Sequence, residues 1–205
     1  MRGDECVAMS PGDPHDILEP SAWVVRFAPL IASGGAILDV ACGRGRHARW
    51  FESRGHRVTG IDRDEAALAA SGASERIVCD LEAFADPREA WPLADRRFAG
   101  VVVANYLHRP LFPLLTEALD AGGVLIYETF AIGNARFGKP SNPAFLLDRG
   151  ELLERCGALH VVAYEDGLVT HPGPASIQRI CAIREARSSN HEGDERRAAH
   201  VRHAL

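Results

Sequence analysis

The 205-residue chain is 46% hydrophobic and 25% charged, with a formal net charge of −5. That composition fits one globular α/β domain with a sizeable core, and it argues against the basic face of a large nucleic-acid footprint. The five cysteines (Cys6, Cys42, Cys79, Cys156, Cys181) are odd in number and form no C-x-x-C pair, so free thiols in a reducing, cytoplasmic setting are expected rather than disulfides or a zinc site.

In chain order, residues 1–15 are polar, with Pro11, Gly12 and Pro14, and are expected to be loose. No signal-peptide core follows Met1, and no apolar run approaches the roughly 18 residues of a membrane helix. The folded domain is expected over 16–186. Trp23 to Ile31 reads as a short amphipathic helix ahead of the sheet. The first strand covers 36–41, and a helix from His47 to Arg54 stops at Gly55. A second strand, 57–61, precedes a helix from Asp64 to Ala70, whose first turn carries Asp64 and Glu65 where the macrodipole favours acids. Arg76 to Cys79 is a short third strand. Gly100 to Ala104 is a β-branched fourth strand of the kind buried on both faces. A helix from Pro110 to Leu119 ends before Gly122-Gly123, and a fifth strand covers 124–127. A helix from Leu146 to Cys156 stops at Gly157. Strands over 160–164 and 176–183 close the fold, and the apolar-poor residues 187–205 read as a disordered tail. Strands alternating with helices call for a parallel sheet with crossovers on both faces. The last two strands have no helix between them, so an antiparallel hairpin at one edge is expected.

Chemistry concentrates at the strand ends. The run Ala36-Ile-Leu-Asp-Val-Ala-Cys-Gly-Arg-Gly-Arg-His47 is a strand ending in a glycine turn, with Asp39 inside the strand. A Gly43-x-Gly45 turn lets the backbone approach a ligand where a side chain would block it. The following strand ends in Asp62, where a carboxylate can take both hydroxyls of a ribose. Gly43 to Ala48 also fits the dinucleotide form G-x-G-x-x-A, so a nicotinamide-dependent oxidoreductase is one alternative. Asp39 separates the two readings: it would repel a pyrophosphate, whereas S-adenosylmethionine brings a cationic sulfonium and ammonium.

The segment Ile37-Leu-Asp-Val-Ala-Cys-Gly-Arg-Gly45 resembles motif I of the class I methyltransferases. From Ile37 to about Ala186 the chain is most similar to the small tellurite-resistance and thiopurine type. Phe145-Leu-Leu-Asp-Arg-Gly-Glu-Leu-Leu153 and Val161-Val-Ala-Tyr-Glu-Asp166 add to that likeness. The resemblance implies a three-layer, Rossmann-like α/β fold, with a seven-stranded, mostly parallel sheet and one antiparallel edge strand. It implies S-adenosyl-L-methionine as cofactor and a small-molecule methyl acceptor, while the charge balance and the lack of a long apolar run argue against a nucleic acid or a membrane as partner. Asn105-Tyr-Leu-His-Arg109 lacks the Asn/Asp-Pro-Pro-Tyr/Phe motif of enzymes that methylate base amino groups, which argues against DNA adenine methylation.

The resemblance also distributes roles. Asp62 would bind the ribose, Arg63 would lie along the adenine, Asp80 would accept from its amino group, and Leu81 would offer a backbone N–H. Asp39, Ala41, Cys42, Gly43, Gly45 and His47 would surround the methionine portion. Asn105, Tyr106 and Leu107 would complete the cofactor site. Tyr106, His108 and Glu128 would face the departing methyl. Trp23 would roof the pocket, and Arg26 would reach the methionine carboxylate. Plainer roles compete with several of these. Asp62 could cap the helix beginning at Asp64, Asp80 could be a turn acid, and His47 and Trp23 could simply pack. Arg26, His108 and Arg109 could be solvated. The Gly- and Pro-rich segment 131–143 could be a substrate lid or a surface connection. An RNA- or protein-directed methyltransferase and a non-catalytic cofactor-binding protein stand as functional alternatives.

Overall fold

Residues 19–186 are described by a computed structural model. The stretches expected to be loose at 1–15 and disordered at 187–205 lie outside these residues. Among the described residues, no helix is long and apolar enough to cross a membrane.

Seven strands form one sheet: β1 (Ile37–Val40), β2 (Val58–Asp62), β3 (Glu75–Val78), β4 (Phe98–Ala104), β5 (Leu119–Phe130), β6 (His160–Val169) and β7 (Ala175–Ile183). Their order is β3-β2-β1-β4-β5-β7-β6. The first five are mutually parallel. The antiparallel strand is β7, and it does not take the edge itself. It inserts between β5 and β6, antiparallel to both. The edge strand β6 therefore runs parallel to β5.

Six short helices cover the sheet: α1 (Ala22–Phe27), α2 (Arg46–Glu52), α3 (Glu65–Ala69), α4 (Pro87–Ala90), α5 (Phe112–Glu117) and α6 (Glu151–Arg155). Strand side chains alternate between two cores, as a period of two requires. Leu38, Val40, Val101, Val103, Leu125 and Tyr127 meet Trp91, Leu93, Phe112, Leu115 and Leu152 on one face. Ile37, Val102, Val124, Ile126 and Cys181 meet Trp23, Phe27, Ala48 and Phe51 on the other. Asp39 and Glu128 share the parity of Ile37 and Ile126, which places both on the α1–α2 face.

Several elements differ in extent from the sequence expectation. The helix expected from Leu146 begins only at Glu151. Gly150 precedes it with a positive φ, and Leu147 is instead tied to the chain beyond β5, bridging Ala131. The turn α4, N-capped by Asp86, is too short to carry a periodic signal.

Candidate active site at the strand ends

Ligand clefts in open parallel sheets lie beyond the carboxyl ends of the strands, where the strand order reverses. Here that point lies between β1 and β4. After β1 the chain turns sharply: Ala41, Gly43 and Gly45 all have positive φ. The two glycines do different work. A side chain at Gly45 would collide with the Ser71 backbone, whereas one at Gly43 would meet nothing within 4 Å. Gly45 therefore seats the turn on the protein, and Gly43 faces the open cleft.

Asp39 lies just below this turn and is 1% exposed. Its Oδ2 has no hydrogen-bond partner among the described residues. Burial pushes its carboxyl up to about 7, against the opposing pull of Arg46 and the Ala48 N–H. A buried acceptor without a partner carries a free-energy penalty that a cationic donor would relieve.

Asp62 ends β2. One of its oxygens accepts from the Gly43 N–H at 2.7 Å and the other from the Asp64 N–H at 2.9 Å. It thus fixes both the glycine turn and the approach to α3, while retaining lone pairs for a further donor. The N-cap of α3 is Asp64, which accepts from the Ala67 N–H. Arg63 is exposed beside it. Asp80 is exposed and accepts from the Glu82 N–H at 3.0 Å. Leu81 next to it is buried in the core.

Across the cleft, Asn105 has φ +58° and donates its N–H to the Glu128 carbonyl. The Tyr106 carbonyl accepts from the Tyr127 hydroxyl at 2.8 Å. Burial, with Glu82 next, raises the Tyr106 phenol well above its ordinary range. Leu107 is core, and the buried Nε2 of His108 has no partner among the described residues. Burial, then Asp39 and Asp62, raise the Cys42 thiol far above the thiolate range, so it is not poised as a nucleophile.

Trp23 and His47 take the plainer packing roles that the sequence left open, and Arg26 and Arg109 are held by acids. Trp23 is 2% exposed, its indole N–H donates to the Ile180 carbonyl at 3.2 Å, and it packs in the core beside Phe27. That makes it a sheet-covering residue rather than a roof. Arg26 projects toward the β6–β7 side, 3.7 Å from Glu165, away from the glycine turn. The His47 Nε2 accepts from the Ser21 N–H at 3.2 Å, which ties α2 to α1. Burial and Arg46 push its pKa down to about 3, so the ring is neutral and spent on structure. Arg109 is not solvated. It binds Glu151 through Nε and Nη2 at 2.7 and 2.8 Å, and its other donors reach the carbonyls of Ala144 and Leu146.

Those last contacts fasten the segment that follows β5. Asn134 is buried; its side chain accepts from the Ser176 N–H and donates to the Pro140 carbonyl. Ile132, Phe137 and Phe145 remain exposed on the outside of this compact loop. Arg46 ends the turn expected around the methionine portion, although the sequence assigned its side chain no role. It opens α2 directly after Gly45, half-buried and in the field of Glu128 and Asp39. Its place after the glycine turn was the available signal.

A methyltransferase-domain family profile matches residues 37–121, from β1 to the start of β5. Over this stretch the chain is similar to the methyltransferase-domain family. The glycine turn and the acids Asp39, Asp62 and Asp80 all lie in the matched stretch. TehB from Haemophilus influenzae superposes with a TM-score of 0.64 at 19% identity, covering 80% of this chain and 61% of that one. The glycopeptide N-methyltransferase MtfA, complexed with S-adenosyl-L-methionine, gives 0.55 at 19% identity over 80% and 86%. In sequence, the ribosomal RNA small subunit methyltransferase H of Gemmatimonas aurantiaca is 30% identical over 165 residues. That alignment covers 77% of this chain but only 49% of the relative, so the chain spans about half the length of the curated protein it matches.

Proposed function

We propose that this methyltransferase moves the methyl group of S-adenosylmethionine to a small-molecule acceptor and releases S-adenosylhomocysteine. The observation that carries the reading is the unpartnered Oδ2 of Asp39, buried beneath a glycine turn whose Gly43 faces open space. A cationic ligand answers that carboxylate; a pyrophosphate would worsen it. When bound, the cofactor supplies an electrophilic methyl on a sulfonium. In this reading Asp62 takes the ribose hydroxyls, Asp80 and the Leu81 N–H take the adenine, and Arg63 lies along the ring. Asn105, Tyr106 and Leu107 close the other wall.

The acceptor approaches between residues 105–109 and the loop after β5, with Tyr106, His108 and Glu128 nearest. Tyr106 stays protonated and acts as a hydrogen-bond donor. His108 Nε2 is the group free to take a proton from an acceptor. Proximity and a dry site do most of the work if the acceptor is soft or already anionic. The segment 131–143 serves as the lid on that side.

A second reading has one observation behind it: the curated relative is named as a ribosomal RNA methyltransferase. A labelled-cofactor assay separates the two. Label transferred to small thiol, selenium or tellurium compounds supports the first reading, and label on small ribosomal subunits alone supports the second. Calorimetry with S-adenosylhomocysteine and NAD comes first, and affinity for NAD alone overturns both.

A further inference from the structure

Large apolar side chains left in water are usually scattered singly over a protein surface. Val25, Val78, Phe84, Leu153 and Leu168 are of that kind, spread over α1, β3, the chain after β3, α6 and β6. The segment after β5 is different: between 132 and 145, Ile132, Phe137 and Phe145 are 58%, 40% and 48% exposed. None of them is exposed because its backbone is loose. Ile132 donates its N–H to the Leu147 carbonyl, and its own carbonyl accepts from the Ser176 hydroxyl. The Phe137 N–H donates to the carbonyl of the buried Asn134. Phe145 stands between Ala144 and Leu146, whose carbonyls both accept from Arg109. The same stretch reverses the sign of the chain. Residues 129–147 contain no Asp or Glu, whereas Arg136 and Lys139 are exposed, in a chain of net charge −5. Neither cation has an ion-pair partner among the described residues. The Arg136 guanidinium lies 5.7 Å from the Phe137 ring centroid, so a cation and an apolar face share one place.

We propose that this segment recognises the body of the methyl acceptor, and that the acceptor is an amphipathic anion. Its apolar part rests on Ile132, Phe137 and Phe145, and its anionic head meets Arg136 and Lys139. This rests on reading the cleft as a methyltransferase site whose acceptor enters beside residues 105–109. Arg109 joins the two, because it belongs to that wall and holds the segment at Ala144 and Leu146. Apolar groups on a pinned backbone lose little freedom when a ligand arrives, so they form a prepared surface. A neutral apolar molecule would leave both cations unanswered, and a cationic one would be repelled by them. An anionic lipid surface carries the same two features; the link through Arg109 to the wall that carries His108 favours the acceptor.

The test uses probes that share one alkyl chain and differ in the head: octanoate, octanol and octylammonium. Each is titrated calorimetrically into the full chain saturated with S-adenosylhomocysteine. Octanoate should bind about 10-fold more tightly than octanol, and octylammonium least. In a variant combining Arg136→Gln with Lys139→Gln, octanoate should fall to the level of octanol, with octanol unchanged. Phe137→Ser should weaken both. Melting temperature and S-adenosylhomocysteine affinity should hold in every variant, because these side chains are exposed and lie off the glycine turn. Equal binding of the probes overturns the inference, as does octanoate binding that survives the double variant. Sedimentation with phosphatidylcholine vesicles containing phosphatidylglycerol gives the last arm. Wild-type co-sedimentation that is lost in Phe137→Ser would make the segment a membrane contact and overturn the acceptor assignment. If S-adenosylhomocysteine binds and octanoate does not, this inference falls and the methyltransferase reading stands. If S-adenosylhomocysteine itself does not bind, that reading fails first and this one with it.

Discussion

The two halves of the cleft are built on opposite plans. On the β1–β3 side, polar groups are left open among the described residues: Asp39 has an unused oxygen, Arg46 an unused fork, and Gly43 faces empty space. On the β4–β7 side, polar groups are consumed. Glu151 takes Arg109, Arg155 and the Asp148 N–H. Gln178 accepts from the Leu152 N–H and donates to the Asp148 carbonyl. Asn134 ties the loop to β7. An open set of valences marks a surface built to meet a defined ligand. A closed set marks a scaffold that shapes a space without naming what enters it. That contrast explains why the methyl donor can be read from this molecule far more readily than the acceptor.

The comparison is broken most severely by removing what the scaffold side rests on. Trp23→Ala should cost about 3–5 kcal/mol of stability, the range for a buried aromatic, with S-adenosylhomocysteine affinity unchanged in the folded fraction. Urea denaturation together with calorimetry decides this, and weakened binding at unaltered stability would return Trp23 to the site. Glu151→Ala strands Arg109 and should cost about 3 kcal/mol, the low end for breaking a buried pair, since Arg109 is partly exposed. The Glu151 carboxyl is held at about 2: burial raises it, but Arg109, the Asp148 N–H and Arg155 outweigh that effect. Its contribution is therefore present above the ordinary carboxylate range and disappears as pH falls toward 2. The variant should show less acid-dependent loss of stability in melts between pH 5 and 3.

On the open side the effects move from stability to binding. Asp62→Ala should weaken S-adenosylhomocysteine by about 1–3 kcal/mol. It should also lower the melting temperature, because two backbone N–H groups lose their acceptor; unchanged affinity in a folded variant would remove Asp62 from the site. The smallest effect is a proton linkage. Asp39 titrates near 3.8 ordinarily and at about 7 in the free fold. Between those values the native state binds more protons than the unfolded one, so this carboxyl lowers stability as pH rises through the window. A cationic ligand selects the ionised form. Affinity should therefore rise from pH 6 to 8, with proton release on the acid side, and Asp39→Asn should flatten the rise. Titrations in buffers of different ionisation enthalpy would detect the proton, and a flat wild-type profile would contradict the linkage.

How much of this was legible in the sequence follows the same division. The strands of the parallel half, the glycine turn and the acids Asp39 and Asp62 declare themselves locally, because their residue types and their positions coincide. The residues whose roles stayed open are those whose partners are remote. Ser21 lies 26 positions from His47, Ile180 lies 157 from Trp23, and Glu151 lies 42 from Arg109. No periodicity announces such a partner, so a packed tryptophan and a roofing one look alike in one dimension. The place of β7 was hidden for a related reason. Two consecutive strands without a helix announce a hairpin, but not which arm pairs with the sheet.

That placement bears on how the chain is made. During synthesis β6 emerges with no neighbour to accept it, because the strand that joins it to β5 is the last to appear. Until residues 175–183 are complete, the nascent molecule presents two unpaired edges, β5 and β6, and the Ser176 anchor of Asn134 is also missing. Open strand edges recruit other chains. Products that stop short of β7 should therefore aggregate rather than persist as partly active fragments. The acceptor side of the cleft would take shape on the ribosome after the β1–β3 side.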